Sequence, residues 1–247
     1  MTAALAATIH DPEGKLAAAI AMHAGTLRGI FADFALNASD ATPDNVLAAA
    51  REHLGARTMV HAQGEAGIGR NRREAVKLAL EGIATAILYS DFDHVMRWIE
   101  ADAEELRAIL TVQPDCDLLV VGRSARAFAV APERLRETEK LINQVYRLMT
   151  GRDWDLMFAV RRFSRKGAET VVARSHEDSI ANDVEWPLLA DAAGLAVGYA
   201  AADGLHYRAM EEFGAPSDTL DGDALQWIRR IEIPAGHAAA MRPFLKC

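Results

Sequence analysis

The sequence predicts an α/β protein with a mainly parallel central sheet flanked by helices. Three observations carry this expectation. Short apolar runs, each about one strand long, alternate with stretches of helical periodicity, the pattern of βαβ units. Clusters of polar and turn-forming residues close the runs, as at His10-Asp11-Pro12 and Asn37-Ala38-Ser39-Asp40. The 247 residues, 51% apolar and 25% charged, are enough to bury a full core as one large domain or two small ones.

Taken in order, residues 3–9 form an apolar run that predicts the first strand. Residues 16–30 are Ala-rich with apolar residues at helical spacing. Residues 31–36 predict the second strand. Thr42-Pro43 then opens a helix, with Thr42 as N-cap and Pro43 at the first helical position. It runs to about His53, with Gly55 as C-cap. Strands at 57–62, 84–89 and 118–121 alternate with helices at 70–80 and 101–110. The second half is less regular. It predicts a charged amphipathic helix at 132–149 and a strand or turn at 159–164. A helix at 186–193 closed by Gly194, a strand at 195–200 and one helix near 223–230 follow. The apolar side of residues 135–149 faces either the core or, in a homo-oligomer, a partner helix, and the core is the simpler expectation.

Composition excludes several classes. The net charge of −8 argues against nucleic acid as a partner, which would need a basic face. Two cysteines, Cys116 and Cys247, cannot build a disulfide framework or a zinc cluster. Cys116 opens an apolar run and is expected in the core, and the cysteine usage suits a cytoplasmic protein. No apolar stretch approaches the roughly 18 residues of a membrane span, and residues 1–10 lack the basic start of a signal peptide, so neither is expected. No Gly-x-Ser-x-Gly elbow and no P-loop is present.

In parallel sheets, ligands bind outside the carboxyl ends of the strands, and the informative residues fall there. In Tyr89-Ser90-Asp91-Phe92-Asp93 an apolar strand delivers two carboxylates at i and i+2. In an extended strand these share a face, so both can reach one divalent cation such as Mg²⁺ or Mn²⁺, which then bridges to substrate phosphates. The alternative is that Asp91 and Asp93 only cap the next helix. Gly64-Glu65-Ala66-Gly67-Ile68-Gly69-Arg70-Asn71 follows a strand and opens a helix. Its glycines permit close backbone approach, its helix N-terminus favours anions and Arg70 suits phosphate, although a plain turn is the competing account. The spacing is not that of a dinucleotide site. Asn182-Asp183-Val184-Glu185 leads into a helix, where Asp183 or Glu185 is either a general base or a cap. His206 follows a predicted strand and gains weight as a metal ligand only if the fold brings it to Asp91 and Asp93.

Four segments, in this order, resemble the GT-A glycosyltransferases, in particular the family-2-like enzymes that use nucleotide sugars. Ala6-Ala7-Thr8-Ile9-His10 is similar to the first strand, whose end lies against the base. Asn37-Ala38-Ser39-Asp40-Ala41-Thr42 is similar to the D-x-S-x-D-x-T turn, with Asn37 where Asp is usual. Gly67-Ile68-Gly69-Arg70-Asn71 resembles the turn into an A-R-N helix, and Asp91-Phe92-Asp93 the D-x-D motif. The resemblance covers about residues 1–210. It implies a nucleotide-sugar-binding half (1–121), an acceptor half (122–210) and a C-terminal extension (211–247). It also implies a UDP- or GDP-linked sugar donor held with a divalent metal. Asp91, Asp93 and His206 would be the metal ligands. His10, Asn37, Ser39, Asp40, Gly67, Arg70, Asn71 and Asp91 would bind the donor, and Asp183 or Glu185 would be the base.

Two rival accounts use the same residues. Asp91-Phe92-Asp93 also resembles the haloacid-dehalogenase phosphatases, with Asp91 as nucleophile, although that motif normally opens the fold. A non-catalytic GT-A-like nucleotide-binding protein is the other, kept open by Asn37.

Overall fold

The computed structural model describes residues 2–64, 67–207 and 220–245. Glu65, Ala66, Cys247 and the expected boundary at 210/211 lie outside these. The chain alternates β1 (Ala3–Ile9), α1 (Leu16–Ile30), β2 (Asp33–Ser39), α2 (Asp44–Leu54), β3 (Arg57–His61), α3 (Ile68–Leu80), β4 (Ala86–Asp91) and α4 (Phe92–Ile109). It continues through β5 (Leu118–Arg123), α5 (Ala125–Ala129), α6 (Glu133–Thr150), β6 (Val160–Ser164) and α7 (Arg165–Arg174). Then come α8 (Asn182–Ala192), β7 (Val197–Ala202) and α9 (Ala224–Met241).

The strands form one seven-stranded sheet in the order β3-β2-β1-β4-β6-β5-β7. Every pairing is parallel except those of β6, which runs antiparallel to both β4 and β5. Strand alternation splits the core into two layers. Leu5, Ala7 and Ile9 of β1 join the layer under α1 and α4, where Leu16, Ile20, Ala24 and Leu27 form one helical stripe. Ala4 and Ala6 face the other way, onto Ala75 and Ala79 of α3. These small side chains let α3 lie close against β1 and β2. The carboxyl ends of β1 to β4 therefore open on one edge of the sheet, as expected.

Several expectations need correction. α2 is capped at Pro43, not Thr42; the Thr42 hydroxyl lies 3.1 Å from Ser39 Oγ and accepts from the Asp11 amide. β4 reaches Asp91 and α4 starts at once with Phe92. Asp93 thus sits in the first helical turn, and the shared strand face assumed for Asp91 and Asp93 does not exist. α4 was expected only from 101, although Phe92, Val95, Met96 and Ile99 carry helical spacing before the kink at Asp102 (φ −161°, ψ 89°). α7 was not foreseen, although Ser164 caps it by accepting from the Gly167 amide. Cys116 is only partly buried and precedes β5. α9 runs on to Met241 and packs against α6 and α8, burying Pro234, His237 and Met241.

Candidate functional site

The first part of the site is built from three adjacent strand ends. A cavity of about 290 Å³ is lined by His10 after β1, Ser39 ending β2, His61 ending β3, Gln63 and Gly64 beyond it, and Asn71 of α3. Its walls are a hydrogen-bonded frame. His10 Nδ1 lies 2.9 Å from Ser39 Oγ. The Asp40 carboxylate accepts from the Gln63 amide at 3.1 Å, and the Asp40 amide donates to the His61 carbonyl at 2.8 Å.

Asn37 is fully buried beneath this cavity rather than open to it. Its amide nitrogen donates to the Asn71 carbonyl and its oxygen accepts from His61 Nδ1, both at 2.8 Å. Asn37 is therefore a brace, which corrects its expected role in touching the donor. The same bond fixes the His61 tautomer, and burial, outweighing the nearby Asp40, lowers the His61 pKa and keeps the ring neutral. His61 was not singled out from sequence, although its place at a strand end was legible.

The glycine-rich turn also behaves differently from expectation. The Gly69 and Arg70 amides at the start of α3 both donate to the Asp178 carbonyl, at 2.7 and 3.3 Å. A methyl group at Gly69 would run into the Ser179 carbonyl and lie 2.7 Å from that of Glu177. Gly69 thus admits the chain's own 177–179 loop, not a phosphate. Gly67 caps α3. Arg70 is exposed beside Gly67 and close enough to act on the charge of His61, at the rim of the same cavity.

The second part lies on β4, the other neighbour of β1. At one register level Thr8 of β1 pairs with Asn37 on one side and Asp91 on the other. Asp91 Oδ1 accepts from the hydroxyls of Thr8 (2.7 Å) and Tyr89 (2.8 Å), and Oδ2 faces Arg72 at 3.5 Å. Burial alone would raise the Asp91 pKa. Arg72, His94 and the two hydroxyls outweigh it and hold the carboxyl below its usual value. Asp93 pairs with Arg97 at 3.2 Å across one helical turn. The Asp91 and Asp93 side chains are 26% and 40% exposed.

The late motif is structural. Asp183 is 5% exposed and accepts from Arg72 at 2.9 Å, with Arg161 at 4.0 Å and His237 at 3.9 Å. Burial works against its charge, yet Arg72, His237 and Arg161 prevail and its pKa falls. Arg72, raised above its usual value despite burial, is neutralised by Asp183 and Asp91 together. Glu185 accepts from the Ser175 hydroxyl at 2.5 Å and from the amides of His176 and Glu177. Neither carboxylate is open to an acceptor, so the expected base role does not fit. Arg72 was missed, though its spacing from Ala75, Val76 and Ala79 puts it on the buried face of α3.

A second cavity, of about 220 Å³, includes His94, Arg97, Phe158 and His206 in its lining. His94 stacks on Phe158, with ring centroids 4.3 Å apart. His206 Nδ1 lies 3.1 Å from the Asp203 carbonyl. Among the described residues no three His, Cys, Asp or Glu side chains gather as a metal cage. Asp91, Asp93 and His206 therefore do not converge as the expected three-ligand set.

No protein-family model and no curated protein matches the sequence. Solved structures do match. Glucosyl-3-phosphoglycerate synthase from Mycobacterium tuberculosis, in complex with UDP, aligns over 94% of this chain and 80% of its own, with 14% identity and a TM-score of 0.52. The same enzyme with Mn²⁺, UDP and phosphoglyceric acid aligns over 93% and 78%, with 12% identity and a TM-score of 0.52. The chain has the GT-A fold. The second of these synthase complexes holds Mn²⁺, and the donor set here can be tested for such a cation. The chain offers two carboxylates, hard oxygen donors already partly occupied. That set fits a cation shared with a phosphate-bearing ligand, not one held by protein alone. No helix of the described residues is long and apolar enough to cross a membrane.

Proposed function

We propose that this GT-A protein transfers a sugar from a nucleotide-diphosphate sugar, UDP-linked, to a small acceptor. Asp91 and Asp93 would hold Mg²⁺ or Mn²⁺ together with the donor diphosphate. The observation that carries the reading is the shared register of Asn37, Thr8 and Asp91. Neighbouring strands lie about 4.8 Å apart, so the carboxylate stands about 10 Å from the frame under the His10–His61 cavity. That is the span from a nucleobase to its diphosphate. The choice of UDP and the cation is supported by the complexes of the structurally similar synthase.

In this reading His10, Ser39, Asp40, His61 and Asn71 shape the base site, with Asn37 bracing it. Arg70 lies at its rim, where the phosphates would pass. When bound, the cation would offset the charge developing on the leaving diphosphate. Thr8, Tyr89 and Arg72 orient the Asp91 carboxylate and keep it ionised for that contact. The phosphatase account finds no support, since Asp91 ends the fourth strand of a GT-A sheet and is engaged by two hydroxyls and an arginine.

Ligand binding to the folded state raises its melting temperature by mass action. Melting with UDP, GDP and ADP, each with and without Mn²⁺, is expected to show stabilisation by UDP that needs the metal. Asp91→Ala combined with Asp93→Ala should lose it. A melt that no nucleotide shifts would overturn the donor site. Metal-dependent binding without turnover of any UDP-sugar would favour the non-catalytic account, which the structural roles of Asp183 and Glu185 keep in view.

A further inference from the structure

The cavity at the ends of β1, β2 and β3 has a hydrogen-bond polarity that the groups behind it fix. The Asn71 carbonyl can only accept, so the Asn37 amide nitrogen stands against it and the amide oxygen faces His61. That oxygen accepts in turn, so His61 Nδ1 carries a hydrogen. The ring is neutral, because burial lowers its pKa against the pull of Asp40, with His10 and Arg70 acting in the same direction as burial. His61 Nε2 is therefore a bare acceptor. It has no hydrogen-bond partner among the described residues, and its ring lines the cavity. His10 has the opposite polarity. The buried Thr42 hydroxyl accepts from the Asp11 amide and lies 3.1 Å from Ser39 Oγ, which lies 2.9 Å from His10 Nδ1. Only the order Thr42 to Ser39 to His10 gives each hydroxyl hydrogen an acceptor in this chain of contacts, and an unmade buried bond is costly. His10 Nδ1 then accepts, which places the ring hydrogen on Nε2 as a donor to the cavity. The Asn71 side-chain amide, also in the lining, is a further donor.

We infer that His61 reads the donor base: its Nε2 accepts the N3–H of uracil, His10 donates to a flanking carbonyl, and Asn37 is the positioning residue that keeps His61 in the accepting tautomer. With ribose attached, uracil has a single N–H, and it stands between two carbonyls. Cytosine presents a bare N3 at that place, so its lone pair would meet that of His61. A site built to bond one polar group rejects a base that leaves its own groups unpaired. The side chain at 37 is decisive for the tautomer. An aspartate there would also accept from Nδ1, but its charge would favour the doubly protonated ring, whose Nε2–H cannot accept from uracil. The assignment of the base rests on the donor reading, whereas the polarity of the two rings does not.

Calorimetric titration of UDP, CDP and N3-methyl-UDP into the full chain with Mg²⁺, from about pH 5.5 to about pH 8, tests it. At the alkaline end UDP should bind about tenfold or more tighter than either analogue. The ratio of UDP to CDP affinity cancels the titration of the diphosphate that both carry. That ratio should fall as pH drops through the lowered His61 pKa, because the imidazolium turns the acceptor into a donor. Asn37→Asp should move the fall to higher pH, which a merely structural brace would not do. His61→Phe keeps a ring and removes the acceptor, so it should abolish both the preference and its pH dependence, and it carries the test if Asn37→Asp does not fold. UDP and CDP bound alike at the alkaline end, N3-methyl-UDP bound as tightly as UDP, or a preference that survives His61→Phe would overturn the inference and leave the donor site standing. Binding of no nucleotide at any pH would overturn the donor site itself.

Discussion

Single residues here are decided by where their partners lie. Asp183 looks like a base in sequence, yet it is the counter-ion of Arg72 in a nearly dry cluster with Arg161 and His237. Removing one partner of a buried pair leaves the other charge uncompensated, at about 3–5 kcal/mol. Asp183→Asn is therefore expected to lower the unfolding free energy by that order, read as a lower urea midpoint. A variant with wild-type stability and lost turnover alone would restore the base role. The pH dependence follows from the same contacts. The Asp183 and Asp155 carboxyls are held below their usual value by Arg72 and by Arg123 respectively, against the opposing effect of burial. Groups depressed in the folded state contribute their stability above the unfolded pKa of about 3.9, and it is lost as pH falls through the folded value. Stability should thus decline below about pH 4, and Asp183→Asn should flatten that decline.

At the scale of elements, the contact between the start of α3 and the 177–179 loop organises one wall of the site. Gly69 allows it, because a side chain there would collide with backbone carbonyls of Ser179 and Glu177. Gly69→Ala is expected to push the loop away and free the Gly69 and Arg70 amides from Asp178. Overpacking of this kind costs about 1–3 kcal/mol, read as a lower melting temperature. UDP affinity should fall with it, since Asn71 is two residues further along the same helix; unchanged affinity would separate the loop from the base site. This contact also shows what sequence could and could not reveal. β1 and α1 were legible to the residue, because a clean apolar run and an unbroken helical stripe face one core. The glycine at 69 was legible as a close approach, but its partner is 110 residues away and has no local signature. The start of α4 was legible in the spacing of Phe92, Val95, Met96 and Ile99 but was passed over, because Asp91 and Asp93 were read as one extended strand end. The strand ends that frame the candidate site (His10, Ser39, Asp40, Asp91) were legible in sequence, while Arg72 acquires meaning only from tertiary placement.

For the whole molecule the open question is what the C-terminal helix is for. Sequence suggests an appended extension, yet α9 reaches into both charged clusters. His237 is fully buried, donates through Nδ1 to the Ile233 carbonyl at 2.8 Å and lies 3.9 Å from Asp183. Arg230 meets Glu139 at 2.6 Å, and Arg123 meets the same carboxylate from β5. Asp221, just before α9, accepts from Arg134 Nη1 at 2.8 Å and from the Glu133 amide at the start of α6. The helix thus ties α6 and α8 together and covers Asp183, whose ionisation the folded state requires. Ending the chain after Tyr207 removes all of these contacts at once and opens the Arg72–Asp183 pair to water. Such a chain is expected to lose its near-ultraviolet circular dichroism and its cooperative urea transition while keeping much of its helical signal, because the β1–β4 layer retains its own core. The same urea midpoint in the shortened and full chains would make α9 an appendage after all.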